Sequence, residues 1–288
     1  MTYYNPATNK RVTYPWKEHH IGIVVTHTEL KIDGVEVIET GANQDTRNMD
    51  GREEHVLANI LEGKLEDLAE DYTAGLDTLL HEDGTGDTKS LSGIKALIPD
   101  DPTAGSTGGL SRVVNTWWRN RAATAAYAAA GGQDVITVNV ANGGALLQFL
   151  QKEKRQLTRF AQGVVTHRCF AGSDFIDGME KELRANGRYT QSGFGTTQSV
   201  DGALDTSEFV PFGTWKIVYD PSLDSASLSK RLYVIDMRAI KLKYMSGQRM
   251  KRHTPARPYD RYVLYQGITT TGVLCARQLN TSAVYDIA

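Results

Sequence analysis

Three histidine-containing groupings in this sequence have the residue types and spacing for chemistry. His167 and Cys169 stand two apart in Val164-Val165-Thr166-His167-Arg168-Cys169-Phe170, so on a strand their side chains share a face. A cysteine beside a histidine is the arrangement of an activated thiolate nucleophile. The same run has the composition of a buried strand, where cysteine packs as a small hydrophobe, and that reading is the stronger. His27 and Glu29 are also two apart and could share a metal ion. No third ligand stands at a natural spacing, so a surface or interface role is expected for this pair. His19 and His20 are adjacent, and adjacent strand residues point to opposite faces, which argues against shared ligation. The phosphate-binding Gly-x-x-x-x-Gly-Lys-Ser/Thr loop, the Gly-x-Ser-x-Gly elbow and the His-Glu-x-x-His zinc motif do not occur. No catalytic residue, no metal site and no cofactor is therefore expected.

The fourth grouping is one of charge. Arg238, Lys241, Lys243, Arg249, Lys251, Arg252, Arg257 and Arg261 crowd one stretch. As structure, this is a solvated hairpin edge whose lysines discourage unwanted pairing. As function, it meets either an acidic surface on another subunit or nucleic acid. The segment 62–71 is acidic, which favours contact between copies. The net charge of −2 excludes a dominantly basic surface.

The element that must position these groups is a long helix. Asp50-Gly51-Arg52-Glu53 has the form of a capping box. Leu57, Leu61, Leu65, Leu68, Tyr72, Leu76 and Leu79 follow at spacings of three and four, a stripe of nearly heptad period. Glu62, Lys64, Glu66, Asp67, Glu70 and Asp71 fill the other faces. The spacing predicts a helix over 51–81, closed by Gly84-Thr85-Gly86, at roughly 45 Å for 1.5 Å per residue.

Around it, 288 residues with 40% hydrophobic and 23% charged composition allow one large domain or two. Two cysteines suit a reducing compartment. No apolar run approaches the ~18 residues of a membrane span, and residues 1–17 lack the pattern of a signal peptide. No membrane partner is expected. Val12, Tyr14 and Trp16 alternate with polar neighbours as a half-buried strand does, and 21–32 forms a second extended run. Ile94 to Ile98 is a short buried segment. Ala122 to Ala130 is helical by propensity, as are 142–161 and 173–186, with a strand over 164–170 between them. Residues 188–213 form a polar surface insertion. Strands return at 215–219 and 232–236 around an Asp220-Pro221 turn. Ile240, Leu242 and Tyr244 are expected to pair with Tyr262, Leu264 and Tyr265 in a long hairpin with a basic tip, before a closing strand over 272–279. The whole is an α+β chain.

Three segments carry a resemblance: Trp16-Lys17-Glu18-His19-His20 before the capped helix; His81-Glu82-Asp83-Gly84-Thr85-Gly86 with Gly93-Ile94, Gly108-Gly109-Leu110-Ser111-Arg112 and Thr116-Trp117-Trp118-Arg119-Asn120; and Gly172-Ser173-Asp174-Phe175 after a strand. Together they resemble the major capsid proteins of tailed bacteriophages, which have the Hong Kong 97-type fold. The resemblance implies an extended arm or loop over 1–48. It implies a peripheral domain over 49–115 and 238–265, with 51–81 as its spine helix. It implies an axial α/β domain over 116–237 and 266–288. About 49 residues precede the helix, fewer than the arm and outgoing loop of this fold normally take. Either those parts are short, or the gene product begins before Met1.

The function implied is that of a capsid subunit. Copies assemble into pentamers and hexamers of an icosahedral head around double-stranded DNA, in the virion, after assembly in the host cytoplasm. Scaffold, portal and decoration proteins are possible partners. Encapsulin-like shells share the fold, and an α/β enzyme built on 116–237 is the rival from another class. The residues expected at subunit interfaces are Tyr4, Tyr14, Trp16, Arg249, Lys251, Arg252 and Arg257. Leu57, Leu61, Leu65, Leu68 and Tyr72 are expected to face the core of the spine helix. The arm carries Tyr3, Tyr4, Tyr14 and Trp16 but too little apolar sequence to fold alone, so its aromatic rings are expected to cover a neighbouring subunit.

Overall fold

The computed structural model describes residues 10–26, 28, 51–87, 89–140, 144–161, 166–185, 210–212, 215–253 and 263–288. In chain order the elements are strand β1 (Lys17–Thr26), helix α1 (Gly51–His81), the short helix α2 (Ile94–Leu97), strands β2 (Ser106–Thr107) and β3 (Leu110–Ser111), a 3-10 turn at Thr116–Trp118, strand β4 (Arg121–Ala123), helix α3 (Ala125–Ala129), helix α4 (Ala145–Arg159), strand β5 (His167–Ala171), helix α5 (Ser173–Ala185), strands β6 (Val210–Phe212) and β7 (Trp215–Tyr219), helix α6 (Pro221–Ser225), and strands β8 (Arg231–Asp236), β9 (Ile240–Tyr244), β10 (Lys251–His253), β11 (Val263–Ala276) and β12 (Ala283–Asp286).

The helical stripe folds as its spacing requires. Leu68 and Tyr72 are buried, with Leu65 and Leu76 half-buried beside them, against Ile21, Ile23 and Ile268. Each fully buried leucine in such a contact contributes about 1.5–3 kcal/mol. The side chains of Leu57 and Leu61, and the capping residue Asp50, lie outside the described residues. The surface beneath α1 is an antiparallel sheet whose central strand is β11. β1 pairs along one edge of β11, from Lys17↔Gly272 to Thr26↔Val263. β10 and β9 share the other edge, at Lys251↔Thr269 and Leu242↔Leu274.

This pairing corrects the expected hairpin. The partner of Ile240, Leu242 and Tyr244 is 272–276, not Tyr262, Leu264 and Tyr265; Leu264 and Tyr265 pair with β1 instead. The expected closing strand over 272–279 is the far half of the same 14-residue β11. One uninterrupted strand is possible because both of its edges find partners, and Leu242 keeps its apolar face towards Leu274 in the core. The expected boundary between 265 and 266 falls within β11.

The second sheet has the order β4-β12-β8-β5-β7-β6. Its central strand β8 is buried along its whole length, because both faces are covered. Leu232 and Val234 face α4 and α5, among Leu146, Leu147, Leu150, Phe175 and Met179. Tyr233 and Ile235 face the opposite layer, with Leu97, Ile98, Trp118 and Leu279. A strand with two buried faces has a continuous apolar run rather than alternation. Helix α4 has no side-chain cap of its own at Gly144. The buried Glu182 of α5 supplies it, accepting from the N–H groups of Leu146 (3.0 Å) and Leu147 (2.9 Å), and from Asn139 (2.8 Å).

Other differences have local causes. Residues 10–16 are not a strand, which begins only at Lys17. Pro15 lacks an N–H, and Thr13 bonds instead to the Gly108 carbonyl at 3.0 Å. Residues 121–123 join β12 in parallel, so the alanine-rich helix starts after Thr124, whose hydroxyl caps Tyr127 at 3.1 Å. The helix expected over 142–161 ends at Arg159, and Phe160 after it is exposed. Asp220-Pro221 is not a bare turn. Asp220 caps α6, with proline at the first turn, where its missing N–H has no helical role.

Candidate subunit-contact surface

The structure engages the ring of His167 with partners other than Cys169. Trp215 donates its indole Nε1–H to His167 Nδ1 at 3.1 Å, so the ring proton sits on Nε2, which faces the Thr281 carbonyl at 3.0 Å. Both nitrogens are occupied away from Cys169. Burial holds His167 below its ordinary pKa, outweighing the Thr281 bond. Burial also pushes the Cys169 thiol up to about 12, the opposite of activation. His19 packs 5.5 Å from the Tyr72 ring, its pKa lowered by burial and then by the neighbouring His20. His20 lies on the other face of β1. The His27 and Glu29 pair lies outside the described residues. No group of three or more His, Cys, Asp or Glu is placed to hold a metal among the described residues.

What the chain does present is surface. Residues paired directly across strands share a face. Ile268 and Thr270 face α1, so Thr269, Thr271, Val273 and Cys275 face away, and with them Lys251, Lys243 and Lys241. Arg252 lies on the side of Ile268. Lys251 and Arg252 are exposed. Arg249 is exposed at the turn, its guanidinium 5.1 Å from the Tyr244 ring. That turn is fixed by bonds from Met250 N–H to the Thr270 hydroxyl and from Thr271 N–H to the Gln248 carbonyl, each 3.0 Å. Arg257 and Arg261 lie outside the described residues.

The arm residues divide. Tyr4 lies outside the described residues. Tyr14 is half-buried on its own chain, its hydroxyl donating to the Ala276 carbonyl at 3.3 Å. Trp16 remains 47% exposed. Three large apolar residues close in sequence are also exposed: Val113 (60%), Val114 (78%) and Trp117 (51%). The loop that carries them is held rigidly. Arg119 donates to the Arg112 carbonyl at 2.7 Å and the Val113 carbonyl at 3.1 Å, and the buried Trp118 indole donates to the Thr107 carbonyl at 3.1 Å. A preorganised loop with an aromatic anchor is what interface centres use.

No protein-family model and no curated protein matches this sequence. Solved structures do. The capsid of cyanophage A-1(L) is similar over 96% of this chain and 77% of its own, with a TM-score of 0.52 at 12% identity. The capsid of an empty GTA particle is similar over 100% of this chain and 81% of its own, with a TM-score of 0.52 at 10% identity. The capsid of cyanophage P-SCSP1u gives 100%, 80%, 0.51 and 10% in the same terms. With a long helix laid across one sheet and a mixed α/β layer beside it, this α+β chain has the Hong Kong 97-type fold of the tailed-phage major capsid proteins.

Proposed function

We propose that this chain is the repeating subunit of a phage head shell, a structural protein rather than an enzyme. The observation that carries the proposal is the fold likeness to phage capsids over essentially the full chain. The rigid, exposed Val113, Val114 and Trp117 loop supports it, since apolar surface of this kind marks contacts between molecules. In the finer form of the proposal, copies form pentamers and hexamers of an icosahedral shell. That shell encloses double-stranded DNA, assembles in the host cytoplasm, and is completed by scaffold, portal or decoration proteins. The surfaces joining copies include Trp16, Arg249, Lys251 and Arg252, with Tyr4, Tyr14 and Arg257 as further contacts from the arm and the hairpin tip. The arm and loop lie over 1–48. The peripheral part is 49–115 with 238–265, and the axial part is 116–237 with 266–288, the strand β11 running across the boundary between them.

Negative-stain microscopy of the purified chain tests this. Shells or five- and six-membered rings support it. Uniform small oligomers with a turnover activity would favour the enzyme built on the α/β layer. Shells that enclose protein in place of nucleic acid would assign the chain to a cargo compartment.

A further inference from the structure

We infer that copies of this chain meet head to tail, the outer face of α1 in one copy against the lysine-bearing face of the β1/β11/β9/β10 sheet, the one turned away from α1, in the next. This inference rests on the self-assembly proposed above. The two faces lie on opposite sides of one helix-on-sheet unit. Glu66, Asp67, Glu70 and Asp71 are exposed on the side of α1 turned away from Leu68 and Tyr72. Glu66 with Glu70, and Asp67 with Asp71, are like charges at i,i+4, an arrangement unfavourable in an isolated helix. The far side of the sheet carries the exposed Lys241, Lys243 and Lys251, with Glu18 towards the opposite edge. Acid and base on opposite sides cannot neutralise each other within one chain. Between copies they can, and because the two faces differ the contact is heterologous, closing into a ring or continuing as a fibre.

The test uses two full-length variants. One has Glu66, Asp67, Glu70 and Asp71 changed to lysine; the other has Lys241, Lys243 and Lys251 changed to glutamate. Circular dichroism checks their folding and light scattering their association. Each variant alone is expected to lose association, and an equimolar mixture to regain it, since each then offers the face the other needs. Association by either variant alone, or no rescue by the mixture while wild type associates, overturns the face pairing. A wild type that does not associate at any concentration overturns the shell reading instead.

A second, independent observation lies where α1 ends on the α/β layer. We propose that His81 and Asp220 form a protonation-gated clasp between the long helix and that layer. His81 Nδ1 lies 2.9 Å from the Asp77 carbonyl, and Nε2 lies 2.8 Å from Asp220 Oδ2. Both partners only accept hydrogen bonds, so both ring nitrogens must carry protons, and the group that fits is the imidazolium. The neutral ring would set a lone pair against one of these oxygens. Asp220 also accepts from Ser222 N–H at 3.0 Å as the cap of α6, and the Ser222 hydroxyl donates to Asp77, so helix and layer are cross-tied twice. The charged groups acting on the ring are Asp220 and Asp77, with Asp224 and Tyr219 behind Asp220.

The Asp220 bond raises His81 from 6.5 to about 8, against the opposing effect of burial. A raised folded-state pKa means that the clasp holds fully below 6.5 and is lost as pH climbs through 8. A rise of that size corresponds to about a 30-fold change in the local opening equilibrium. Two measurements on the full chain test the clasp. Imidazole C2–H exchange followed by mass spectrometry is expected to place His81 well above 6.5, and to return it to the ordinary range in Asp220→Asn, which still caps α6. Amide exchange, corrected for its intrinsic pH dependence, is expected to show residues 78–82 and 222–225 losing protection between pH 7 and 9 in wild type. His81→Gln should show no such step. A His81 pKa at or below 6.5, or the same alkaline loss in His81→Gln, overturns the proposal.

Discussion

The Tyr72 hydroxyl of the long helix lies 2.6 Å from the Thr270 hydroxyl of the central strand, and both residues are buried. Met250 N–H donates to the same Thr270 oxygen at 3.0 Å. Helix, strand and basic turn therefore meet at one atom. Replacing Tyr72 by phenylalanine removes one buried hydrogen bond and is expected to cost about 0.5–1.5 kcal/mol. Leu68→Ala is expected to cost about 2–5 kcal/mol, and Leu65→Ala less, because Leu65 is only half-buried. Urea midpoints rank the three. Equal midpoints for Leu68→Ala and wild type would mean that the stripe does not hold the helix to the sheet.

The Glu182 carboxylate is buried at the N-terminus of α4, where three N–H groups point at it. Glu182→Gln keeps the shape but replaces one acceptor oxygen by a donor facing other donors. The expected loss is about 1–3 kcal/mol, read as a lowered thermal midpoint together with faster amide exchange at Leu146 and Leu147. Unchanged exchange there would show that the helix end does not depend on this carboxylate.

The two thiols are expected to differ. Cys169 is fully buried with its thiol pushed up to about 12, while Cys275 is half-exposed on β11. A disulfide reagent at pH 8 should titrate one thiol per native chain and two after denaturation, and peptide mapping should find the native label on Cys275. Rapid labelling of Cys169 would contradict the packing of β5.

The exposed apolar loop and the basic turn both predict assembly defects without folding defects. Val114→Asp, at a position 78% exposed, is expected to change stability by no more than about 0.5 kcal/mol while reducing particle yield in microscopy. Reversing Arg249, Lys251 and Arg252 to glutamate should do the same. Particles that form normally from the triple variant but enclose little nucleic acid would place this turn on the inner surface of the shell.

What the sequence determined by itself was local. The helix over 51–81 was legible because its stripe repeats every three or four residues, and a helix needs only neighbours within one turn. Leu68 and Tyr72 were legible as inward-facing for the same reason. What only the tertiary structure decided was pairing at a distance. Leu242 has the same alternation whether it faces Leu264 or Leu274, since a strand's period of two leaves partner and register open. Val114 and Trp118 are both large and apolar. Only the fold buries Trp118 and leaves Val114 in solvent. His81 and Asp220 stand 139 positions apart. Each had a visible local role, one as the last residue of a helix and the other as a carboxylate before a proline. Neither role names the other, because an ion pair across a fold depends on where two element ends come to rest, and that is set by the burial of α1 on one sheet and of β8 within the other.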